Sequence, residues 1–373
     1  MAFTFLWLFS FQTDLQAYAQ HFYSGGQTHY NGLVGALLLT FVLWMVQLVV
    51  YAFIRLHNSF HALTYFPSFA ALAALGAVCP TASGDLSFGF WWLVLLLLTA
   101  LWLFCVWAAR GMTKFERRRP FSFFSRSMWV NLLILAVMMV VVTAVVDTNA
   151  VFHYRARMET RLVEQRFDDA LQVGRKSLET DASLTMLRAY ALSRQGQLAE
   201  RLFEYPVAGS GADLVPLAGS QSRLLRYPQD SLFRHLGAIP RAGMTTSVYL
   251  ERLLRYGQAT PAVADYVLCG QLIDRDLDAF ARTITRFYEV GDTLTQPELN
   301  LRGSLPRHYR EALTLYTHLR SHPVITYHDA VTDEDYADLQ ALEAQYADAR
   351  ERHIRVKEKY QGSYWYYYEY MKP

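Results

Sequence analysis

The residues of this chain that could do chemistry are few, and most of them are histidines and aspartates. His57 and His61 stand four apart, which puts both on one helical face, and His21 and His29 bracket the pair Gly25-Gly26. Two imidazoles alone do not make a metal centre, which needs three or four ligands in a closed arrangement. "LIDRDLDAF" sets Asp274, Asp276 and Asp278 at alternate positions, without the turn glycine and the later bidentate glutamate of a calcium loop; it reads as a capped helix start. "HLRSHPVITYHD" gathers His318, His322, His328 and Asp329, the group best suited to general acid-base work, but no Gly-x-Ser-x-Gly elbow or comparable nucleophile scaffold accompanies it. GxGxxG, Walker, HExxH and CxxC patterns are absent, and Cys79, Cys105 and Cys269 share no metal-like spacing. No catalytic residue, cofactor or metal is assigned from the sequence, and no reaction class follows from it.

Stepping outward from these residues, charge divides the chain in two. Residues 1–147 carry seven Lys/Arg and four acids, so the remainder holds 28 basic and 29 acidic residues. That near balance leaves no electrostatic footprint for nucleic acid. In the first part four stretches lack any charge: 32–54, 59–78, 88–109 and 128–146. Each approaches the ~20 residues that cross a hydrocarbon core as a helix. The second is the least regular, because His61, Thr64 and Pro67 need neighbouring helices to enclose them. Residues 1–12 read as a partial span, either an interfacial half-helix or the end of a span that starts upstream.

Between the third and fourth stretches, "RGMTKFERRRPFSFFSRS" (110–127) holds six Lys/Arg against one Glu, while 80–87 has no base. The positive-inside rule puts 110–127 in the cytoplasm and everything after residue 147 on the outer side. The expected location is a bacterial inner membrane, multi-pass, with membrane lipids as neighbours and residues 148–373 in the periplasm.

After Asp147 the pattern turns to short helices with polar faces. "EQRFDDALQVGRKSLETD" (164–181) spaces Phe167, Ala170, Leu171 and Leu178 near helical register, and resembles the second-helix half of a tetratricopeptide repeat. "LRAYALSRQGQLAERLFEYP" (187–206) repeats the idea, with Gly196 lying 31 residues after Gln165, close to the ~34-residue period of such repeats. Arg201 departs from that pattern, standing where a small residue belongs. A Gly/Ser/Ala/Pro-rich piece, 205–223, reads as a loop that interrupts the array. Helices are expected again over 245–256, 261–272, 276–288, 306–321 and 333–360. The fold class is therefore all-α: a transmembrane bundle (1–147) followed by an extramembrane helical-repeat domain (148–373).

The chain closes on "YQGSYWYYYEYMKP", where Tyr364, Trp365, Tyr366, Tyr367, Tyr368 and Tyr370 crowd a terminus that is usually polar. Three roles compete for them: core of their own domain, contact with the outer leaflet, or a surface for an envelope protein partner. Asp14, His21 and His29 mark a second, polar site in the stretch before the first span.

Taken together, "DLQAYAQHFYSGGQTHYNG", "LRAYALSRQGQLAERLFEYP", "LPRHYREALTLY" and "YQGSYWYYYEY" resemble an uncharacterised family of polytopic membrane proteins of Bacteroidetes. That resemblance implies location and architecture, not an activity. The function expected is a membrane-tethered interaction scaffold of the envelope. Its alternative is an integral-membrane enzyme or transporter subunit for a lipid-linked or small substrate, with Asp14–Asn31 lining the site.

Overall fold

The computed structural model describes residues 1–28, 30–76, 79–80, 86–87, 90–112, 126–145, 150–290 and 305–371. The chain forms two compact units, Met1–Asn149 and Ala150–Pro373. His29, most of the 110–127 loop and one end each of three expected spans lie outside the described residues.

The first unit contains α1 (Ala2–Ser10), α2 (Thr13–Tyr23), α3 (Gly32–Ile54), α4 (Phe66–Gly76), α5 (Trp91–Met112) and α6 (Arg126–Val145). A two-residue antiparallel pair, β1 (Cys79–Pro80) and β2 (Leu86–Ser87), joins Cys79 to Ser87 and Pro80 to Leu86. Among the described residues three helices are long and apolar enough to cross a membrane: Gly32–Ile54, Trp91–Gly111 and Arg126–Ala144. Only 22%, 11% and 11% of their apolar windows are buried within the unit. Leu37, Leu38, Phe41, Leu96, Leu101, Phe104 and Leu133 point outward, an arrangement that water would penalise and lipid accepts. Where the helices do meet, Ala36, Ala73 and Ala109 are buried, small side chains that let backbones approach closely.

The stretch 59–78 departs from the single span expected. Asn58–Tyr65 is a 3₁₀ helix kinked at Phe60, and only Phe66–Gly76 is α-helical. Pro67 explains the restart: it lacks an N–H and is tolerated in the first turn of a helix, not inside one. The backbone groups freed by the 3₁₀ geometry are met by side chains from three neighbours. Asn131 of α6 accepts from the Ala62 N–H (2.7 Å) and donates to the Asn58 carbonyl (2.8 Å). Trp102 of α5 donates its indole N–H to the Leu63 carbonyl (2.8 Å). Ser68 donates back to Leu43 of α3 (2.6 Å), and Gln47 reaches Thr64 (3.3 Å). In hydrocarbon there is no bulk water to do this work. Arg110, near the end of α5, donates to the carbonyl of Ile54, the last residue of α3 (2.9 Å). These two helices therefore end at the same level, and the broken segment belongs to the chain that returns between them.

The second unit comprises α7 (Ala150–Val163), α8 (Phe167–Gln172), α9 (Ala182–Arg194), α10 (Leu198–Arg201), α11 (Gln229–Leu236), α12 (Thr246–Arg255), α13 (Ala262–Ile273), α14 (Leu277–Ile284), α15 (Arg307–Leu319), α16 (Ala330–Gln345), α17 (Ala349–Tyr360) and α18 (Tyr364–Tyr370). Three helix pairs, α7–α8, α9–α10 and α13–α14, are joined by one and the same turn, and its closure also ends α12 at Gly257 (φ 63°), where the Gln258 N–H bonds the Leu253 carbonyl but α13 starts four residues later. A left-handed residue follows the first helix: Gln165 (φ 58°), Gly196 (φ 68°) or Arg275 (φ 58°). The next N–H then bonds five residues back at 2.9 Å, Arg166 to Arg161, Gln197 to Leu192, Asp276 to Gln271. This is the Schellman closure of a helix C-terminus. An apolar residue comes next, Phe167, Leu198 or Leu277, and opens the second helix.

Helix α8 ends at Gln172, so Leu178 falls outside it and is exposed. The piece 205–223 is an ordered loop: Asp213 closes a capping box with Ser210 and also accepts from Gln221 and Ser220. There Gly211 lies so close to α13 that an added Cβ would sit 2.5 Å from the Gly270 carbonyl oxygen. The final stretch breaks at Tyr346–Asp348 into two helices, with Asp348 capping α17.

Candidate functional site

The aromatic terminus forms α18, and the second unit absorbs it. Ser363 caps the helix through the Tyr366 N–H. Tyr364, Trp365, Tyr366 and Tyr367 are buried, and Tyr368 and Tyr370 are half-buried. Glu311 of α15 receives them. Its Oε2 accepts the Tyr364 N–H at 2.7 Å, and its backbone carbonyl accepts the Trp365 indole N–H at 2.7 Å. The hydroxyls of Tyr364 and Tyr367 donate to the carbonyls of Leu272 and Ile273 (3.3 and 2.8 Å), in the last turn of α13, where carbonyls lack the usual partner one turn on. Arg275 binds the carbonyls of Tyr367 and Met371, and its guanidinium lies over the Tyr367 ring at 5.1 Å. The four buried aromatics are thus packed into the interior of the second unit.

Glu311 is also paired to Arg307 (2.8 Å) and to His308 Nδ1 (3.0 Å). The Phe203 N–H points at His308 Nε2 (3.4 Å), which leaves Nδ1 as the donor to Glu311. Burial acts to raise the Glu311 carboxyl, but His308, Arg307 and the Tyr364 N–H outweigh it and hold it below the ordinary glutamate value. This His-Glu pair has the composition of a catalytic dyad, yet both ends of the imidazole are committed to the fold.

A second buried carboxylate, Glu159 on α7, accepts three consecutive backbone N–H groups, Leu225, Arg226 and Tyr227, at 2.6–3.0 Å. Burial raises this carboxyl above the glutamate value against the pull of those bonds. A third, Asp265, takes the hydroxyls of Tyr288 (3.1 Å) and Tyr309 (2.9 Å), and burial pushes it up to about 6. None of the three stood out in the sequence, where each is a lone acid in a helix.

The residues that did stand out are used locally. Asp276 caps α14, Asp274 accepts the Gly211 N–H (2.8 Å), and Asp278 pairs with Arg320 (2.7 Å). Asp329 caps α16 and lies 3.7 Å from Arg310; His318 stacks on Tyr336 and His328 lies 3.4 Å from Asp333. His57 caps the 3₁₀ helix, while His61 sits edge-on to Tyr51 and Tyr65. Asp14 and His21 occupy the first and last turns of α2. His21 packs over the turn that follows it, its Cε1 only 3.0 Å from where a Cβ on Gly26 (φ 80°) would stand, and His29 lies outside the described residues. Among the described residues no three His, Cys, Asp or Glu side chains are grouped to hold a metal.

Among the exposed large apolar residues of the second unit, Leu319 at the end of α15, Val324 in the connection and Val331 in the first turn of α16 lie close in sequence, while Val163, Leu178, Ile239, Val248, Tyr256 and Ile354 are exposed elsewhere. The connection is fixed from beneath, with the Val324 N–H donating to the Tyr316 hydroxyl (3.1 Å) and Arg320 gripping Asp278.

Residues 223–371 match the model of a family of unknown function, DUF6057. The match covers α11 to α18, including Glu311 and the aromatic helix. No curated protein matches the chain, and neither does any solved structure.

Proposed function

We propose that the chain is a membrane-anchored scaffold whose second unit, made of tetratricopeptide-like helix pairs, mediates protein–protein contacts in the bacterial envelope. The observation that carries this reading is the thrice-repeated helical hairpin with its left-handed closure, at Gln165, Gly196 and Arg275. Stacked helix pairs of that kind present broad surfaces to partners. The match to a domain family of unknown function and the Bacteroidetes membrane family named above are compatible with such a role. Applied to the basic residues flanking α5 and α6, the positive-inside rule puts the shared end of α3 and α5 in the cytoplasm of an inner membrane. The chain after α6 then emerges in the periplasm. The contact surface we assign is Leu319, Val324 and Val331, not the aromatic helix.

A photo-crosslinking residue at Val324 and at Val331 is expected to trap one and the same envelope protein, while the exposed control Leu178 is not. Absence of crosslinks from both positions would contradict the scaffold. The alternative of an enzyme or transporter subunit draws on the polar seam of the first unit. It predicts that replacing Asp14, His21 and His29 together by Ala abolishes function, whereas the scaffold tolerates the change.

A further inference from the structure

Hydroxyls inside membrane helices commonly bond back to a carbonyl one turn earlier, which costs the bilayer nothing. In the first unit Thr99 does so to Leu95 (2.7 Å), Thr143 to Val140 (2.8 Å) and Thr64 to His61 (2.8 Å). Thr40 does not. It lies in the middle of α3, 6% exposed, and its Oγ1 has no hydrogen-bond partner among the described residues. An orphaned hydroxyl at such a place destabilises the fold unless something fills the gap.

Thr40 faces a small cavity of about 30 Å³ lined by Thr4, Gln47, Tyr65 and Ser68 beside apolar residues. That volume exceeds the ~10–15 Å³ one water needs, and the lining supplies the two to four polar partners that a buried water requires. The same unit contains an instructive contrast. A far larger space of about 290 Å³ between α4, α5 and α6 is lined by Leu, Phe, Ala, Ile, Val, Met, Trp and Cys side chains and gives a water nothing to bond. Polarity, not size, separates the two. No carboxylate lines the small cavity, so a desolvated cation would lack the counter-charge it needs.

We propose that the cavity at Thr40 is a binding site for an ordered water, one that accepts from or donates to Thr40 Oγ1 and bridges α3 to the broken Asn58–Gly76 segment. Gln47 and Ser68 are already held at this junction by Thr64 and by the Leu43 carbonyl. The water completes the seam on the face that protein groups leave open.

The test uses the full chain in lipid nanodiscs. A structure at a resolution that shows waters is expected to have density at hydrogen-bond distance from Thr40 Oγ1. Thr40→Val is expected to lower the melting temperature by about 2–4 °C, with Thr40→Ser within a degree of wild type and no dependence on Na⁺ against K⁺. An empty cavity with Thr40 turned to the Ala36 carbonyl, or a Thr40→Val variant as stable as wild type, overturns the proposal. A melting temperature raised by Na⁺ alone overturns it in favour of a cation.

Discussion

The two units solve the same problem with different chemistry. In each, one polar residue ties down another segment: the Asn131 side chain holds the backbone of Ala62 and Asn58 in the first, and Glu311 accepts the Tyr364 N–H on its carboxylate and the Trp365 indole N–H on its carbonyl in the second. In the first unit the joints within the helices are neutral, made by Asn131, Trp102, Gln47, Ser68 and Thr64, and the charged donor Arg110 stands at a helix end. In the second they are ionic, made by Glu311, Glu159, Asp265 and Arg188, the last 1% exposed with its guanidinium on the Pro206 carbonyl and over Tyr205. The difference follows from the surroundings. A charge at a bilayer's centre costs several kcal/mol even when paired, whereas a water-bathed domain can bury a carboxylate if enough N–H and O–H groups converge on it. Apolar residues differ in the same sense, turned outward in the spans and inward around one continuous core in the helical unit.

Substitutions that treat the two units alike should therefore give unlike results. The largest contrast is expected between two tryptophans. Trp365→Ala should cost roughly 3–5 kcal/mol, the range for a fully buried aromatic, and Glu311→Ala a similar amount, because His308, Arg307 and the Tyr364 N–H are left facing a void. Trp107, 72% exposed on α5, should change stability by less than about 0.5 kcal/mol when replaced by Ala. Denaturation of the full chain in nanodiscs compares all three.

Next in size is Asn131→Leu, which orphans the Ala62 N–H and the Asn58 carbonyl and should cost about 1–3 kcal/mol. A neutral result would mean that the 3₁₀ segment does not depend on α6.

Smaller effects are expected at the repeated turn. Gly196→Ala should destabilise by about 1–2 kcal/mol, the cost of a left-handed residue with a Cβ. Gln165→Gly should be neutral or slightly stabilising, since there the cost is already present. Arg275→Gly should destabilise despite the same φ, because its side chain holds α18.

The pH dependence is smallest and belongs to the helical unit alone. Burial, aided by Glu343, pushes Glu369 up to about 7, and burial pushes Asp265 up to about 6. The folded chain binds these protons more tightly than the unfolded chain. Their contribution is full at acid pH and is lost as pH rises through about 6 to 7. His235, drawn down to about 4 by burial and by Arg194, acts in the opposite sense, with its contribution present above about 6.5 and lost as pH falls towards 4. Between pH 6.5 and 8 the two carboxyls decide, so melting temperature should fall gently with rising pH. Glu369→Gln should flatten that slope, modestly because the residue is only partly withdrawn from solvent.

Much of this was legible in the sequence because it depends on local pattern. Long uncharged stretches mark α3, α5 and α6, and the Gln165-to-Gly196 offset marks two of the three hairpins. The third pair, at Arg275, was hidden because its left-handed residue is an arginine and about sixty residues intervene. Pro67 and Thr64 announced an irregular second span, but not that a 3₁₀ helix would replace its first half, since that depends on Asn131, sixty-nine residues from Ala62. The site residues fared differently. Composition could not decide whether the aromatic terminus was core, interface or partner surface, because the deciding group is Glu311, fifty-three residues earlier. Glu159 and Asp265 were invisible for the same reason: a carboxylate's role is set by the N–H and O–H groups that fold around it.

The central claim is that the aromatic helix is interior to the helical unit and that recognition lies elsewhere on it. It is tested most directly by ending the chain after Gln361 and subjecting the full-length and shortened proteins to limited proteolysis and mild-detergent co-purification. The account predicts that the shortened helical unit is cleaved rapidly, while a full-length Val324→Glu/Val331→Glu variant resists protease and loses its envelope partner. A shortened protein that stays protease-resistant and loses only the partner would contradict it, and would make Tyr364–Tyr370 the recognition element instead.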